Sequence, residues 1–326
     1  MKDSVNRRSF MKIAGSTLGI GVLYTALPQP AVGEAGEMMR WLGKQNGEQM
    51  TPFSFVQLSD AHVGFNGPPD PLGTKAFERA VEMINGLPTA PDLVLFTGDL
   101  THDTEEKDVH AQRMKQFLEI SRRMKVGKVM CVPGEHDAGL DGGTLYREFL
   151  KETYYSFDHR GVHFVALDHV SRAKHRGRAS AVGVVKERFG AISEDSTDVV
   201  FTHRPLFDLK PEWEWFTSDG DDVLNVLAPY QNVTVLYGHI HRDHEHEEGH
   251  THHYAARSLI FAFPDPEKVA DKKPTPFDQH QPFRNLGIRV VNESAGSALT
   301  VKDVELTLRE YSGINGVQQI LKEPRL

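Results

Sequence analysis

Five short apolar runs in this chain stop abruptly at an Asp, a His or a Glu, and that recurrence constrains the fold more than any other feature. The last of them, Asn232-Val233-Thr234-Val235-Leu236, is β-branched and apolar like a buried strand and runs into Tyr237-Gly238-His239-Ile240-His241. Earlier, residues 53–58 lead into Asp60-Ala61-His62, and residues 92–97 into Gly98-Asp99. Residues 128–132 lead into Gly134-Glu135-His136-Asp137, and residues 198–202 into His203-Arg204. A single Asp or His after a strand is ordinarily a cap or a surface residue. Five together are what an open α/β sheet presents when it builds one site beyond the carboxyl ends of its strands. Where the chain runs extended, Asp60 and His62 share a side, and so do His239 and His241.

The intervening sequence supplies helices. Phe77, Ala80, Val81, Ile84 and Leu87 recur at helical spacing and predict a helix over 74–87. Others are predicted near 105–124, 144–152 and 184–192. Residues 154–157 and 162–167 flank His159-Arg160-Gly161 as a hairpin, and a second hairpin is expected at 241–245 and 255–263 around Glu247-Glu248-Gly249. Residues 264–282, rich in proline and charge, read as an irregular loop, and two closing strands are expected at 288–291 and 299–308.

A length of 326 residues suits one large α/β domain, placed here at 51–310 with a tail at 311–326. The hydrophobic share of 39% is that of an ordinary globular protein, and a formal charge of -8 argues against a nucleic-acid-binding surface. Cys131 is the one cysteine, which excludes an intramolecular disulfide and any metal site built on thiolates.

The first residues differ from the rest. Asn6-Arg7-Arg8-Ser9-Phe10-Met11-Lys12 precedes a mildly apolar run, residues 13–26, and this resembles a twin-arginine export signal. The resemblance implies a signal peptide over 1–35, a polar leader over 36–50, the twin-arginine export machinery as a partner and a periplasmic location. The apolar run falls short of the roughly 20 residues a membrane span needs and is interrupted by Gly15, Gly19 and Gly21, so no stable membrane anchor is expected after cleavage.

Taken in order, Asp60-Ala61-His62, Gly98-Asp99, Gly134-Glu135-His136-Asp137, His203 and Gly238-His239-Ile240-His241 resemble the calcineurin-like metallophosphoesterase family over about residues 53–241. That resemblance implies an α/β fold of two mixed β-sheets packed face to face and flanked by α-helices, a four-layer sandwich. It also implies a dinuclear centre in which Asp60, His62, Asp99 and His241 hold one metal, and Glu135, His203 and His239 with a bridging Asp99 hold the other. Two metals about 3.5–4 Å apart supply hydroxide at neutral pH and clamp the charge that develops at phosphorus. Oxygen and imidazole ligands suit Mn, Fe, Zn or Co. His136 takes the family's place beside the leaving oxygen as acid, with Asp137 as its partner. The chain departs from the family at Glu135, where asparagine is usual. The added carboxylate charge leaves three outcomes open: a trivalent ion such as Fe(III) at one position, weaker phosphate binding, or a Glu135 that swings off the metal.

The function implied is hydrolysis of a small phosphomonoester or phosphodiester, with a 3',5'-cyclic-nucleotide phosphodiesterase as the alternative. Arg204, Arg242 and Arg176 are candidate phosphoryl contacts, the last within the basic loop 172–178. Trp213 and Trp215 read as packing residues. From a different class, the histidines His244, His246, His250, His252 and His253 allow an exported metal-binding protein.

Overall fold

The computed structural model describes residues 52–171, 181–190, 192–293 and 299–307. The signal and leader expected over 1–50, the loop carrying Arg176, Gly296 and the tail over 311–326 lie outside the described residues.

In the first sheet β1 (Phe53–Leu58), β2 (Leu93–Thr97) and β3 (Lys128–Val132) run parallel. β10 (Gly287–Glu293) pairs antiparallel with β1, and β11 (Thr300–Glu305) closes the edge, giving the order β11-β10-β1-β2-β3. The second sheet contains β4 (Tyr155–His159), β5 (Val162–Ala166), β6 (Thr197–Phe201), β7 (Asn232–Tyr237), β8 (His244–Glu248) and β9 (Thr251–Ala255). Its order is β4-β5-β6-β7-β9-β8, parallel in the middle and antiparallel at both edges. The architecture is the one expected: two mixed sheets with flanking helices.

Alternation along each strand makes the layers. Phe53, Phe55, Leu93 and Leu95 face Phe164, Ala166, Val199, Phe201 and Leu236 of the other sheet and form the central core. Their neighbours Val56, Leu58, Val94 and Phe96 point the opposite way, onto α1 (Lys75–Asn85) and α2 (Lys107–Ser121) through Phe77, Ala80, Ile84, Met114 and Phe117. Val165, Val200, Val233 and Val235 do the same beneath α5 (Ala181–Phe189) and α6 (Gly220–Leu227). Each such side chain contributes roughly 1.5–3 kcal/mol when fully buried, so strands covered on both faces are held by their own apolar runs. Gln57 is the exception on the inter-sheet face. Its Nε2 donates to Tyr237 O at 2.9 Å, tying the end of β1 to the end of β7.

Two helices go beyond what the sequence led us to expect, and one expected strand needs correction. The sequence around Gly134 turns at once into a one-turn helix, α3 (Glu135–Ala138), ahead of α4 (Thr144–Leu150). α6 was illegible because it opens on Gly220-Asp221-Asp222, which reads as a turn. The second hairpin turns at Gly249, with φ +61°, and its return strand is β9, not 255–263. β9 lies parallel to β7 in the register Val233 with Thr251 and Tyr237 with Ala255, so both strands end together and the following residues cross the strand ends. Leu259 N then donates to the carbonyls of Ser59 and Asp60.

Candidate metal centre

Five of the side chains singled out sit on left-handed backbone, four of them, Asp60, His62, His239 and His241, where an extended chain was expected. Asp60, His62, Asp99, His239 and His241 have φ of +54°, +40°, +48°, +66° and +51°. For a residue with a Cβ this costs roughly 1–2 kcal/mol, and such conformations persist where the surroundings impose them. Here the turns are pinned to each other: Asp60 N donates to Gly98 O, His62 N to Asp99 O, and Gly238 N to His203 O, all at 2.9–3.0 Å. Glycines make the close approach. A Cβ on Gly238 would stand 2.7 Å from Asp60 Oδ2, and one on Gly98 would stand 2.4 Å from His203 Nδ1.

The side chains converge in two sets. Asp60, His62 and His241 form one, and Glu135, His203 and His239 the other. Asp99 stands between them, its Oδ2 lying 3.5 Å from His62 Nε2 and 3.4 Å from His203 Nε2. Asp60 Oδ1 is 3.4 Å from His241 Nε2, and Glu135 spans its own set with Oε2 2.8 Å from His203 Nε2 and Oε1 2.7 Å from His239 Nδ1. All seven expected ligands are therefore brought to one place, with Asp99 at the boundary.

The donor atoms suit metal ions. Each of three imidazoles has its outer nitrogen fixed by a backbone carbonyl, which sets the tautomer and leaves the inner nitrogen's lone pair facing the cluster. His203 Nδ1 donates to Thr97 O at 2.7 Å, His241 Nδ1 to Phe261 O at 2.9 Å, and His239 Nε2 to Glu214 O at 3.0 Å. His62 Nε2 and His241 Nε2 face each other at 3.2 Å, and buried His203 Nε2 makes no well-aligned hydrogen bond despite its short approach to Glu135. Lone pairs aimed at common points are the signature of a cation-binding set. Burial drives His62 well below the ordinary histidine pKa, against the pull of Asp99, and lowers His239 as well, whereas at His203 burial is outweighed by Asp99 and Glu135, which raise it well above that value. A neutral imidazole is the form that ligates.

At the rim, His136 is held by a residue the sequence reading missed. Its Nδ1 lies 2.6 Å from Asp103 Oδ1, its backbone N donates to Asp99 Oδ1, and its ring stacks on His102 at 4.8 Å. Burial alone would lower its pKa; Asp99, Glu135 and Asp103 outweigh that and raise it. Asp137, expected as the partner of His136, is fully buried and accepts instead from Gly134 N, Leu100 N, Thr101 N and Thr101 Oγ1. It fastens the Asp99 turn to α3. His102 touches a ligand as well, its Nδ1 standing 3.3 Å from His62 Nδ1. Both missed residues follow Asp99 directly in Leu100-Thr101-His102-Asp103, so titratable groups one turn past the motif were the available signal.

The arginines divide. Arg204 lies on Glu135, and Arg242 pairs with Asp265 at 3.6 Å. Trp213 and Trp215 are buried and packed edge to face, bracketing Glu214, whose carbonyl holds His239. Of the hairpin histidines, His244 Nδ1 meets Tyr237 Oη, His246 stacks on Phe207, His252 lies beside Glu247, His253 is fully buried with neither ring nitrogen hydrogen-bonded, and His250 is exposed. Among the described residues, the groups with three converging ligand atoms all belong to the core cluster and its rim.

A two-sheet α/β sandwich with imidazole and carboxylate sets on either side of one Asp is the arrangement of a metal-dependent hydrolase. The calcineurin-like phosphoesterase profile matches residues 53–243, and the chain belongs to that family of metal-dependent phosphoric ester hydrolases. It is 23% identical over 221 residues to a 3',5'-cyclic-nucleotide phosphodiesterase of Nostoc sp., covering 65% of this chain and 80% of the relative. It is 26% identical over 210 residues to a probable glycerophosphodiester phosphodiesterase of Arcobacter nitrofigilis, covering 57% and 71%. Among solved structures, a purple acid phosphatase from yellow lupin seeds superposes with a TM-score of 0.56 at 15% identity, over 79% of this chain and 52% of the lupin chain. A dimetal phosphatase from Danio rerio gives 0.50 at 13% identity, over 78% and 99%. At these identities the two structures speak for the fold alone.

Proposed function

We propose that the protein hydrolyses a small phosphodiester, with phosphomonoesters as poorer substrates, using a pair of metal ions. The observation that carries this reading is Asp99, placed between two ligand sets with His136 and Asp103 at their rim. Metals in those sets would be held by Asp60, His62, Asp99 and His241, and by Asp99, Glu135, His203 and His239; when bound, such a pair supplies an acidified water and neutralises phosphoryl charge. His136, positioned by Asp103, delivers a proton to the departing oxygen. The preference for diesters follows the names of the two sequence relatives.

A cyclic-nucleotide substrate is the second reading. Phe65 and Phe261 lie 5.2 Å apart beside His102 and His62, an aromatic edge on which a base can stack. The test is hydrolysis by the purified, metal-analysed protein of bis(p-nitrophenyl) phosphate, p-nitrophenyl phosphate, a glycerophosphodiester and 3',5'-cyclic AMP. Metal-dependent turnover of diesters is expected. A protein with two metals that cleaves only monoesters would refute the diesterase reading.

Export is part of the proposal, supported by Arg7-Arg8 and the apolar run behind them. A metal centre filled before a folded passenger crosses gives a physical reason for that route. The Arg7→Lys, Arg8→Lys double variant should stay in the cytoplasm unprocessed; normal export would refute it.

A further inference from the structure

Three carboxylates enter the metal centre, and they are not equivalent. Asp60 and Asp99 meet imidazoles and backbone amides, whereas Glu135 also meets a guanidinium. Arg204 Nη2 stands 3.3 Å from Glu135 Oε1 and Arg204 Nε 3.4 Å from Oε2, so one fixed cation spans both oxygens. Those same oxygens face His239 and His203. Arg204 follows His203 directly, so the turn that aims one ligand also delivers the charge that balances another. Both side chains are about three-quarters buried, at 25% and 27% exposure, and solvent screens the pair less than it would a surface pair.

We propose that Arg204 is a metal-selecting residue. By offsetting the charge of Glu135 it lets the centre hold two divalent ions, in place of the trivalent ion that a bare third carboxylate would favour. Formal charge makes the case. Three carboxylates and one guanidinium leave two negative charges, so two divalent ions give the centre a surplus of two positive charges for a phosphoryl group. Without Arg204 the same surplus requires one trivalent and one divalent ion. A carboxylate attracts a hard trivalent ion through its full charge, and a guanidinium a few ångströms away repels that ion most. Arg204 thus removes the Fe(III) preference that Glu135 alone would confer, and its own fork is committed to Glu135.

The inference rests on the two-metal reading and not on the identity of the ester. Four proteins are purified from one growth without added metal: wild type, Arg204→Gln, Glu135→Gln and the double variant, whose formal charge equals that of wild type. Iron and manganese are measured by mass spectrometry, and Mn(II) binding to the chelator-stripped proteins by calorimetry. Arg204→Gln should raise the iron-to-manganese ratio at least about fivefold, and the double variant should return it to near the wild-type value. Arg204→Lys, which keeps the charge, should match wild type and guards against a folding failure in Arg204→Gln. An unchanged ratio in Arg204→Gln, or a ratio in the double variant equal to that of Arg204→Gln, overturns the proposal. A wild-type protein that binds no metal overturns the two-metal reading instead.

Discussion

Asp103 Oδ1 lies 2.6 Å from His136 Nδ1, which commits that nitrogen to a carboxylate and leaves Nε2 as the one free to act at the site. The same His136 donates its backbone N–H to Asp99 Oδ1 at 2.9 Å, so its position is tied to that of the residue between the two ligand sets.

Asp103→Asn should therefore impair proton donation while sparing metal binding. With an aryl leaving-group series, turnover should fall roughly tenfold for a phenyl ester and much less for a p-nitrophenyl ester, because the basic oxygen needs the acid. Metal content should match wild type. Equal losses across the series would mean that the pair only packs the rim.

The left-handed backbone at five ligands predicts that metal and fold stability are linked. Strain of several kcal/mol is large beside the roughly 5–15 kcal/mol that separates folded from unfolded domains. A ligand bound at a hundred times its Kd adds about 2.7 kcal/mol. Chelation should lower the midpoint of thermal unfolding by at least about 5 °C, and added Mn(II) should restore it. An Asp99→Ala protein, lacking the residue between the two sets, should show no response to either treatment. If its midpoint moves as wild type's does, the metals bind elsewhere.

How much of this was legible beforehand depended on whether a signal was local. The strands β1, β2, β3, β6 and β7 were readable because each is a short apolar run closed by a polar turn, and the order of those turns carried the ligand set. What escaped was set by contacts between segments distant in sequence. Asp137 adjoins His136 in sequence, yet α3 rotates its carboxylate toward Leu100 and Thr101, and Asp103 takes the place beside His136. The charge of Glu135 was visible and its guanidinium partner was not, because Arg204 reaches it from another sheet. The crossing residues Leu259 and Phe261 lie in the apolar run 255–263 that reads as a strand, yet they form none, since their positions are dictated by where β7 and β9 end.

Asp70 supplies a test of stability against pH away from the metals. Burial raises its carboxyl to about 7, although Leu72 N donates to Oδ1 and lowers it in part, and buried Oδ2 has no hydrogen-bond partner. Between about pH 4 and pH 7 the unfolded chain has released this proton and the folded chain retains it, so stability falls as pH rises through that window and levels off above it. Asp70→Asn removes the penalty. Its unfolding midpoint should exceed that of wild type at pH 8, and the difference should shrink steadily toward pH 4. A constant difference across the range would show that Asp70 is not the titrating group.

Gly134 and Gly249 are glycines for opposite reasons, and alanine at each should separate the two. Gly134 has φ -99°, which any residue adopts, but a Cβ there would stand 2.0 Å from Asp99 Oδ1 and 2.4 Å from Asp99 N. Space is what forbids the side chain. Gly249 has φ +61° at the hairpin turn, with nothing within 4 Å of an added Cβ, so conformation is what favours glycine there. Gly249→Ala should cost about 1 kcal/mol of stability and leave metal content and turnover intact. Gly134→Ala must displace Asp99, the residue between both ligand sets, and should lose most bound metal together with at least about a hundredfold in turnover. Metal analysis of the two proteins side by side decides it: a Gly134→Ala protein that keeps the wild-type complement would show that Asp99 has room to move and does not hold the centre together.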